Sequence, residues 1–227
     1  MIVIKKSFIW VLIFMLFCVG TAFAVPVLSP RTQNEFVVVI DAGHGGRDGG
    51  AVGTQTGKFE KDINLDYTYC LKNMLETNGI TAVLTRSDGA GLYQEIDTNK
   101  KVADMKKREE LLNSANANAF VSIHMNSFPL TSARGAQVFY TEDNASSESF
   151  ATLTQTTLKK IVPFAKATPK TIDFYLLKVS PCPAILVECG YLSNPEEELL
   201  LLKQSHMEKI CYSIFCGLYA FLNISAT

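Results

Sequence analysis

Short apolar runs alternate with longer amphipathic stretches along most of the chain. Five apolar runs rich in β-branched residues predict buried strands, over residues 36–40, 80–86, 119–124, 135–142 and 184–188. The segment DFYLLK predicts a further short strand over 173–178. Apolar positions at helical spacing predict helices over 60–79, 102–115, 146–162, from 194 onward, and over 206–221. Strands that alternate with helices indicate an α/β domain, with a single twisted, mostly parallel sheet of about six strands and helices on both faces.

The N-terminal residues follow a different pattern. A short basic region precedes the apolar residues 8–20, and an Ala-x-Ala sequence ends at Ala24, which is typical of a secretory signal peptide. Apolar residues continue to about Leu28, so an uncleaved membrane anchor is the alternative. In both cases the domain is exported, and contact with a membrane is expected only through this segment. The sequence therefore predicts a signal peptide or anchor over 1–24, a linker over 25–35 and one folded domain over 36–227.

Composition excludes some classes of function. The chain has 227 residues and a formal net charge of -1, so no basic excess points to a nucleic-acid partner. Six cysteines are present, and removal of the predicted signal peptide takes Cys18 and leaves five. Because five thiols cannot all pair within one chain and no CxxC motif occurs, no disulfide framework is predicted.

The stretch VVVIDAGHGGRDGGAVG, residues 37–53, is a predicted strand that runs into glycines. Such an arrangement is typical of phosphate-binding loops, but neither common motif is present. In the Walker motif a lysine and a Ser or Thr follow the last glycine at fixed spacing, whereas Lys58 is too close to Gly53 and Phe59 follows it. The dinucleotide motif fails because Asp48 stands at the third glycine position. The histidine in this stretch therefore needs another explanation.

Polar residues at the ends of three predicted strands provide one. His44, His124 and Glu188 follow buried runs, and the carboxyl ends of parallel strands border the functional crevice of open α/β sheets. Glu60 begins the helix after the His44 loop, where it either stabilises the helix dipole or joins the crevice. Two histidines and a carboxylate are typical of catalytic zinc, with a fourth position for water, and a second glutamate could accept a proton from that water. The third histidine, His206, lacks a partner motif and is expected to have a surface or capping role.

Four ordered sequence blocks resemble a known family. The chain resembles the zinc-dependent N-acetylmuramoyl-L-alanine amidases of the amidase_3 family, from about Val37 to Leu222. The blocks stand here as DAGHGGRDGGAVG, EKDINL, SIHMN and PAILVECGYLSN, at residues 41–53, 60–65, 122–126 and 183–194. The resemblance makes the predicted domain over 36–227 an amidase catalytic domain.

The resemblance also implies the roles of individual residues. It implies one zinc ion held by His44, Glu60 and His124, with Glu188 as the catalytic glutamate. Asn126 in the SIHMN block is a candidate substrate-binding residue. Two further residues match a helix motif of the family and are interpreted as structural: Arg108 and Asn113.

The implied substrate is peptidoglycan, at the amide that joins the lactyl group of N-acetylmuramic acid to L-alanine. The exported segment, the single domain and the FYLLK segment are similar to the germination-specific amidases of spore formers. Those enzymes modify spore cortex on the path to muramic-δ-lactam, and some of them work with a lipoprotein partner. The implied location is the cell wall or the forespore intermembrane space, with attachment to the membrane as the alternative to release.

Three alternatives remain open at this point. The chain could be a non-catalytic module that binds zinc and peptidoglycan, or a vegetative cell-wall autolysin of the same family. It could also be a thiol hydrolase that uses Cys189 or Cys182 with a histidine. Against this last reading, Cys189 follows Glu188 in a predicted strand, where its side chain would point to the opposite face.

Overall fold

The structure is a computed structural model and describes residues 36–225. Its single sheet has six strands, and their bounds are β1 Val37–Ala42, β2 Thr81–Leu84, β3 Ala119–Asn126, β4 Gln137–Tyr140, β5 Lys170–Thr171 and β6 Ala184–Tyr191. The strand order is β2-β1-β3-β6-β4-β5. Strands β2, β1, β3 and β6 are parallel, whereas β4 is antiparallel to β6 and parallel to β5. The predicted α/β fold with a mostly parallel sheet of about six strands is confirmed.

Helices cover both faces of this sheet. Their bounds are α1 Glu60–Thr77, α2 Lys100–Ser114, α3 Ala145–Ile161, α4 Tyr175–Val179, α5 Pro195–Leu201 and α6 Gln204–Ser225. Alternate strand residues face opposite sides, as a strand period of two requires. Val38 and Ile40 of β1 pack with α1, α3 and α6, whereas Val39 packs with Leu112 of α2 and with α4. Strands β1, β3 and β6 therefore have buried residues on both faces, which explains their nearly continuous apolar runs.

Two local predictions differ from the structure. The predicted strand over 173–178 is wrong, because Tyr175–Val179 is the short helix α4. Its consecutive residues Leu176 and Leu177 are both buried on the same core cluster, which a strand could not achieve. The helix predicted from 102 begins at Lys100, where the Asn99 side chain accepts a hydrogen bond from the Val102 amide (3.1 Å).

The predicted signal peptide or anchor over 1–24 and the linker over 25–35 lie outside the described residues. Within residues 36–225, no helix combines the length and apolar character needed to cross a bilayer. The N-terminal predictions therefore remain predictions.

Candidate metal centre and active site

Three predicted site residues meet at the carboxyl ends of neighbouring parallel strands. On β3 and β6, His124 and Glu188 are direct partners in the strand register. After β1, the Gly43 amide donates a hydrogen bond to the Ile123 carbonyl (3.0 Å), which brings the chain alongside β3. The His44 ring then lies edge-on to the His124 ring, with 5.0 Å between the ring centroids. The strand order thus brings together residues that are far apart in the sequence.

Glu60 joins this group from the first turn of α1. Its Oε1 atom lies 3.2 Å from His44 Nε2 and 3.1 Å from His124 Nδ1. One potential ligand atom from each of the three residues lies within 4.8 Å of the others. The side chain is buried against both histidines, so its position involves more than a favourable interaction with the helix dipole. We call His44, Glu60 and His124 the candidate metal site.

The Glu60 carboxylate is surrounded by donors. Its Oε1 atom accepts hydrogen bonds from the Met125 amide (3.1 Å) and the Asn64 side chain (3.3 Å), and Oε2 accepts one from the Ala51 amide (2.9 Å). Burial raises the pKa of Glu60, but the hydrogen bonds and positive charge of His124 and His44 outweigh it and hold the pKa well below its usual range. Glu60 is therefore held ionised, the form in which a carboxylate binds a metal.

His44 has an unusual backbone conformation. Its φ angle is 63°, in the left-handed region that few residues other than glycine adopt. Its Nδ1 atom lies 2.9 Å from Asp48 Oδ1, outside the geometry of a hydrogen bond, so this carboxylate acts on the ring mainly through its negative charge, which raises the basicity of the imidazole. Burial lowers the pKa of His44, but Glu60 and Asp48 outweigh this effect and raise it. Sequence reasoning missed this role of Asp48, although the residue belongs to the first block of the resemblance.

Two buried arginines fix the loop that carries His44. Arg108 donates hydrogen bonds to the carbonyls of Ala42 (2.7 Å) and His44 (2.5 Å). Arg86 donates to the carbonyls of Ala42 (2.9 Å) and Gly43 (3.0 Å). Arg108 was expected to be structural, and the contacts make the role specific: with Arg86 it holds three consecutive carbonyls of a strained loop. The other residue of the helix motif, Asn113, is exposed.

Asp41 stabilises the same loop through its contact with Arg108. Its carboxylate accepts hydrogen bonds from Arg108 Nη1 (2.5 Å), Thr85 Oγ1 (2.7 Å) and Ser122 Oγ (2.7 Å). Burial raises the pKa of Asp41, but the Arg108 charge and the two hydroxyl groups outweigh it and lower the pKa to about 2. The charge of Arg108 is therefore neutralised inside the protein, next to the loop that carries His44.

The glycines near His44 make room for the site residues themselves. A Cβ atom on Gly43 would collide with the His124 ring. Gly50 has a φ angle of 68°, and a Cβ atom there would lie 2.5 Å from Glu60 Oε2. At these two positions, glycine therefore permits close packing of the candidate metal ligands.

Glu188 differs from Glu60 although it lies in the same crevice. Its Oε2 atom is shielded from solvent and has no hydrogen-bond partner among the described residues. Burial raises the pKa of the Glu188 carboxyl to about 7, because the attraction of His124 only partly offsets burial and the Glu60 charge adds to it. A carboxyl group with this pKa can both accept and release a proton near neutral pH.

The donor set fits a catalytic zinc ion. Two imidazoles and one carboxylate are typical ligands of such an ion, and they leave a position for water or substrate. His124 Nε2 is buried without a hydrogen-bond partner in the described part of the chain, as expected for a site that binds a further group. The arrangement can therefore hold one zinc ion beside a glutamate with a raised pKa.

Two glutamates of α5 hold the surrounding loops. Glu197 accepts hydrogen bonds from the amides of Gly135 and Tyr191, each at 2.8 Å. Glu198 accepts hydrogen bonds from the amides of Gln55 (2.6 Å) and Thr56 (2.9 Å). The contacts with Gly135, Gln55 and Thr56 thus join α5 to loops that are distant in the sequence.

The other candidate residues occupy varied positions. Asn126 lies on β3 just after an irregularity in its pairing with β6, and it is partly exposed at the same strand ends. His206 is buried rather than on the surface, and it is not part of the candidate metal site. Cys189 and Cys182 are buried too, and burial raises the pKa of both thiols, which disfavours the thiolate that a thiol hydrolase needs.

Known proteins are similar to this chain in sequence and fold. The germination-specific N-acetylmuramoyl-L-alanine amidase of Bacillus subtilis is 34% identical over 186 residues, which cover 80% of this chain and 78% of that protein. A structure of the CwlD amidase from Clostridioides difficile, in complex with the GerS lipoprotein, is 37% identical with a TM-score of 0.79, covering 83% of this chain and 99% of that chain.

A second solved structure is the catalytic domain of CwlV, an N-acetylmuramoyl-L-alanine amidase from Bacillus (Paenibacillus) polymyxa. It is 31% identical with a TM-score of 0.74, covering 83% of this chain and 98% of that chain. The family model described as N-acetylmuramoyl-L-alanine amidase matches residues 38–220, which include every residue of the candidate metal site and Glu188. The chain is therefore an enzyme of the N-acetylmuramoyl-L-alanine amidase family.

Proposed function

We propose that this enzyme uses one zinc ion, held by His44, Glu60 and His124, to hydrolyse the amide between the lactyl group of N-acetylmuramic acid and L-alanine in peptidoglycan. The observation that carries the proposal is the convergence of three potential ligand atoms within 4.8 Å at the carboxyl ends of the strands. A glutamate with a pKa of about 7 lies beside them. A module that only binds peptidoglycan would have no need of this second carboxyl group, one oxygen of which has no hydrogen-bond partner among the described residues.

The residues divide the reaction between binding and proton transfer. Zinc, when bound, supplies Lewis-acid activation of a water molecule and of the scissile carbonyl. Glu188 accepts a proton from the attacking water, whose oxygen forms the new bond to the carbonyl carbon. Glu188 then returns the proton to the leaving nitrogen as the carbon–nitrogen bond breaks, so the products are a carboxylic acid and a free amine. Arg108 and Arg86 keep His44 in position throughout, and the Asp48 carboxylate keeps a negative charge beside its ring.

We further infer a role in spore germination. The similarity to a germination-specific amidase of Bacillus subtilis supports this role, and we propose that the substrate is spore cortex, on the path to muramic-δ-lactam. The similarity to CwlD, solved with the GerS lipoprotein, supports a lipoprotein activator as a partner. Residues 1–24 would then export the enzyme as a signal peptide or anchor, residues 25–35 would form a linker, and residues 36–227 would act in the cell wall or the forespore intermembrane space.

Mass spectrometry of digested peptidoglycan tests this function. The purified protein with zinc is expected to release peptides that begin with L-alanine from cortex peptidoglycan, and a chelator should stop the release until zinc is restored. A preference for vegetative wall would instead favour an autolysin. Zinc binding with wall affinity and no cleavage of either wall would contradict the proposed hydrolase and favour a binding module.

A further inference from the structure

A cleft of about 480 Å³ leads away from the candidate metal site along the start of α2. Its lining includes His44 and His124 of that site. Four basic side chains line the same cleft: the buried Arg108, and Arg47, Lys100 and Lys101. The cleft is thus continuous from the reacting centre to a group of positive charges.

The three cations other than Arg108 differ in how well they are paired. Lys100 is held by the Glu95 carboxylate (2.8 Å) and lies over the Tyr93 ring. Arg47 reaches the same Glu95 carboxylate only at 3.4 Å, and both side chains are about three-quarters exposed, at 72% and 77%. The Lys101 ammonium is 77% exposed and lies 3.9 Å from Asp48. Arg47 and Lys101 are therefore weakly paired cations that are open to a ligand.

The charges in the cleft favour an anion. The other two acids that line it, Asp41 and Asp104, are paired with the buried Arg108. Arg47, Lys100, Lys101 and Arg108 face Asp41, Asp48, Glu95 and Asp104, so these charges sum to zero, but they are separated: Asp41 and Asp104 lie against the buried Arg108, whereas Arg47 and Lys101 are exposed and weakly paired. The first turn of α2 also contains two lysines and no acid, the charge distribution that the helix dipole disfavours and a bound anion would offset.

Lys101 is connected to the candidate metal site through the Asp48 carboxylate. Asp48 contacts His44 Nδ1 at 2.9 Å with one oxygen and approaches the Lys101 ammonium at 3.9 Å with the other. The Asp48 carboxylate therefore lies between the Lys101 ammonium and His44 of the candidate metal site. Two extended peptide residues span about 7 Å, which is of the same order as these two contacts placed end to end. In stem peptides of peptidoglycan, the residue after L-alanine is acidic and carries the first free carboxylate.

We propose that Arg47 and Lys101 form an anionic-substrate subsite that binds the carboxylate of the second stem-peptide residue. The peptide leaves the scissile amide along the α2 side of the cleft, and the muramic acid sugar lies on the other side of the metal. This inference rests on the proposed function, since it assigns a direction to the substrate of that same site. The subsite favours acidic stems over stems in which this carboxylate is an amide.

A matched pair of substrates tests the subsite with the purified zinc-loaded protein. One muropeptide carries the free carboxylate on the second residue, and the other carries an amide there and is otherwise identical. The wild-type kcat/KM is expected to be about fivefold higher for the acid, mainly through KM, because two exposed charge pairs contribute modestly. High salt should reduce this ratio by screening.

The double variant Arg47→Ala/Lys101→Ala is expected to bring the acid-to-amide ratio close to one. Lys107→Ala is the matched control, because this exposed lysine lies on the same helix but does not line the cleft, and it should keep the wild-type ratio. Equal rates for the two substrates in the wild type, or an unchanged ratio in the double variant, would overturn the subsite. Failure to cleave either substrate would contradict the proposed function itself, and the subsite with it.

Discussion

Two parts of the crevice each contain a glutamate, and the two glutamates differ in their hydrogen-bond partners and in the direction of their pKa shifts. The segment from Asp41 to Glu60 has its two buried carboxylates saturated with partners: Asp41 accepts three side-chain hydrogen bonds, and Glu60 contacts two histidines and accepts hydrogen bonds from two backbone amides. The end of β6 leaves Glu188 Oε2 without a partner among the described residues. The pKa of Glu60 is lowered, whereas the pKa of Glu188 is raised to about 7. Such a separation between neighbouring carboxyl groups distinguishes a fixed ligand from a group that transfers protons.

Glu188→Gln tests the β6 side of this comparison and should have the largest effect. An amide cannot accept the proton of water, so kcat should fall by about 10²- to 10⁴-fold. Steady-state release of peptides from peptidoglycan measures the change. Glu148→Gln, at an exposed glutamate of α3, is the control and should keep the wild-type rate. Wild-type activity in Glu188→Gln would remove the proposed base.

Arg108→Met tests whether the saturated segment depends on its buried cation. The substitution leaves the charge of Asp41 unpaired and removes the donor to the His44 carbonyl, while Arg86 still donates to the Ala42 carbonyl, so the free energy of unfolding should fall by about 3–5 kcal/mol. Denaturant unfolding followed by circular dichroism measures this change. Lys107→Met removes a cation that is exposed on the same helix and should leave the unfolding midpoint where it is. A similar stability for both variants would contradict the role of Arg108.

Asp48→Asn changes the same segment and should lower its affinity for zinc. The amide keeps the size of the side chain but no longer places a negative charge beside His44, so the zinc dissociation constant should rise by about 10- to 100-fold. Competition with a chromogenic chelator measures the affinity. Asp62→Asn, at an exposed acid in the first turn of α1, should bind zinc like the wild type. Unchanged affinity in Asp48→Asn would show that this carboxylate does not support the site.

Acid pH should lower the free energy of unfolding, because it protonates Asp41 in the saturated segment. Its pKa is about 2 in the folded protein, against about 3.9 in an unfolded chain. Because the folded pKa is lowered, the stabilisation is complete above about pH 4 and is lost as the pH falls toward 2, by about 2 kcal/mol.

The unfolding free energy of wild type and Asp41→Asn, measured between pH 6 and 2, tests this window. The variant is less stable at pH 6, but its stability should fall less on acidification than that of the wild type. Asp173→Asn alters an exposed acid and should follow the wild-type curve. Parallel curves for Asp41→Asn and wild type would contradict the low pKa of Asp41.

The sequence predicts the framework of the site because the signals are local. The apolar runs of β1, β3 and β6 end at polar residues, and parallel strands place such residues at one edge of the sheet. His44, His124 and Glu188 could be expected there on this basis. For Glu60, the sequence left two interpretations open, and the resemblance to a family favoured the metal ligand.

Long-range contacts limit what the sequence predicts about the rest. The hydrogen bond between Arg108 and Asp41 joins residues 67 positions apart, so no local pattern reports it. The loop contacts of Glu198 are more remote still, at 143 and 142 positions. The wrong strand over 173–178 has a different cause, because a run of six residues is too short to distinguish a strand from a single helical turn.

Zinc binding by two glutamate variants tests the central comparison most directly. Wild type, Glu60→Gln and Glu188→Gln are purified, and their zinc content and zinc dissociation constants are measured by metal analysis and calorimetry, together with peptide release. The expected result is that Glu60→Gln loses zinc and activity, whereas Glu188→Gln keeps one zinc ion per chain with wild-type affinity and loses only activity. Loss of zinc in Glu188→Gln, or retention of zinc with wild-type affinity in Glu60→Gln, would contradict the assignment of ligand and proton carrier.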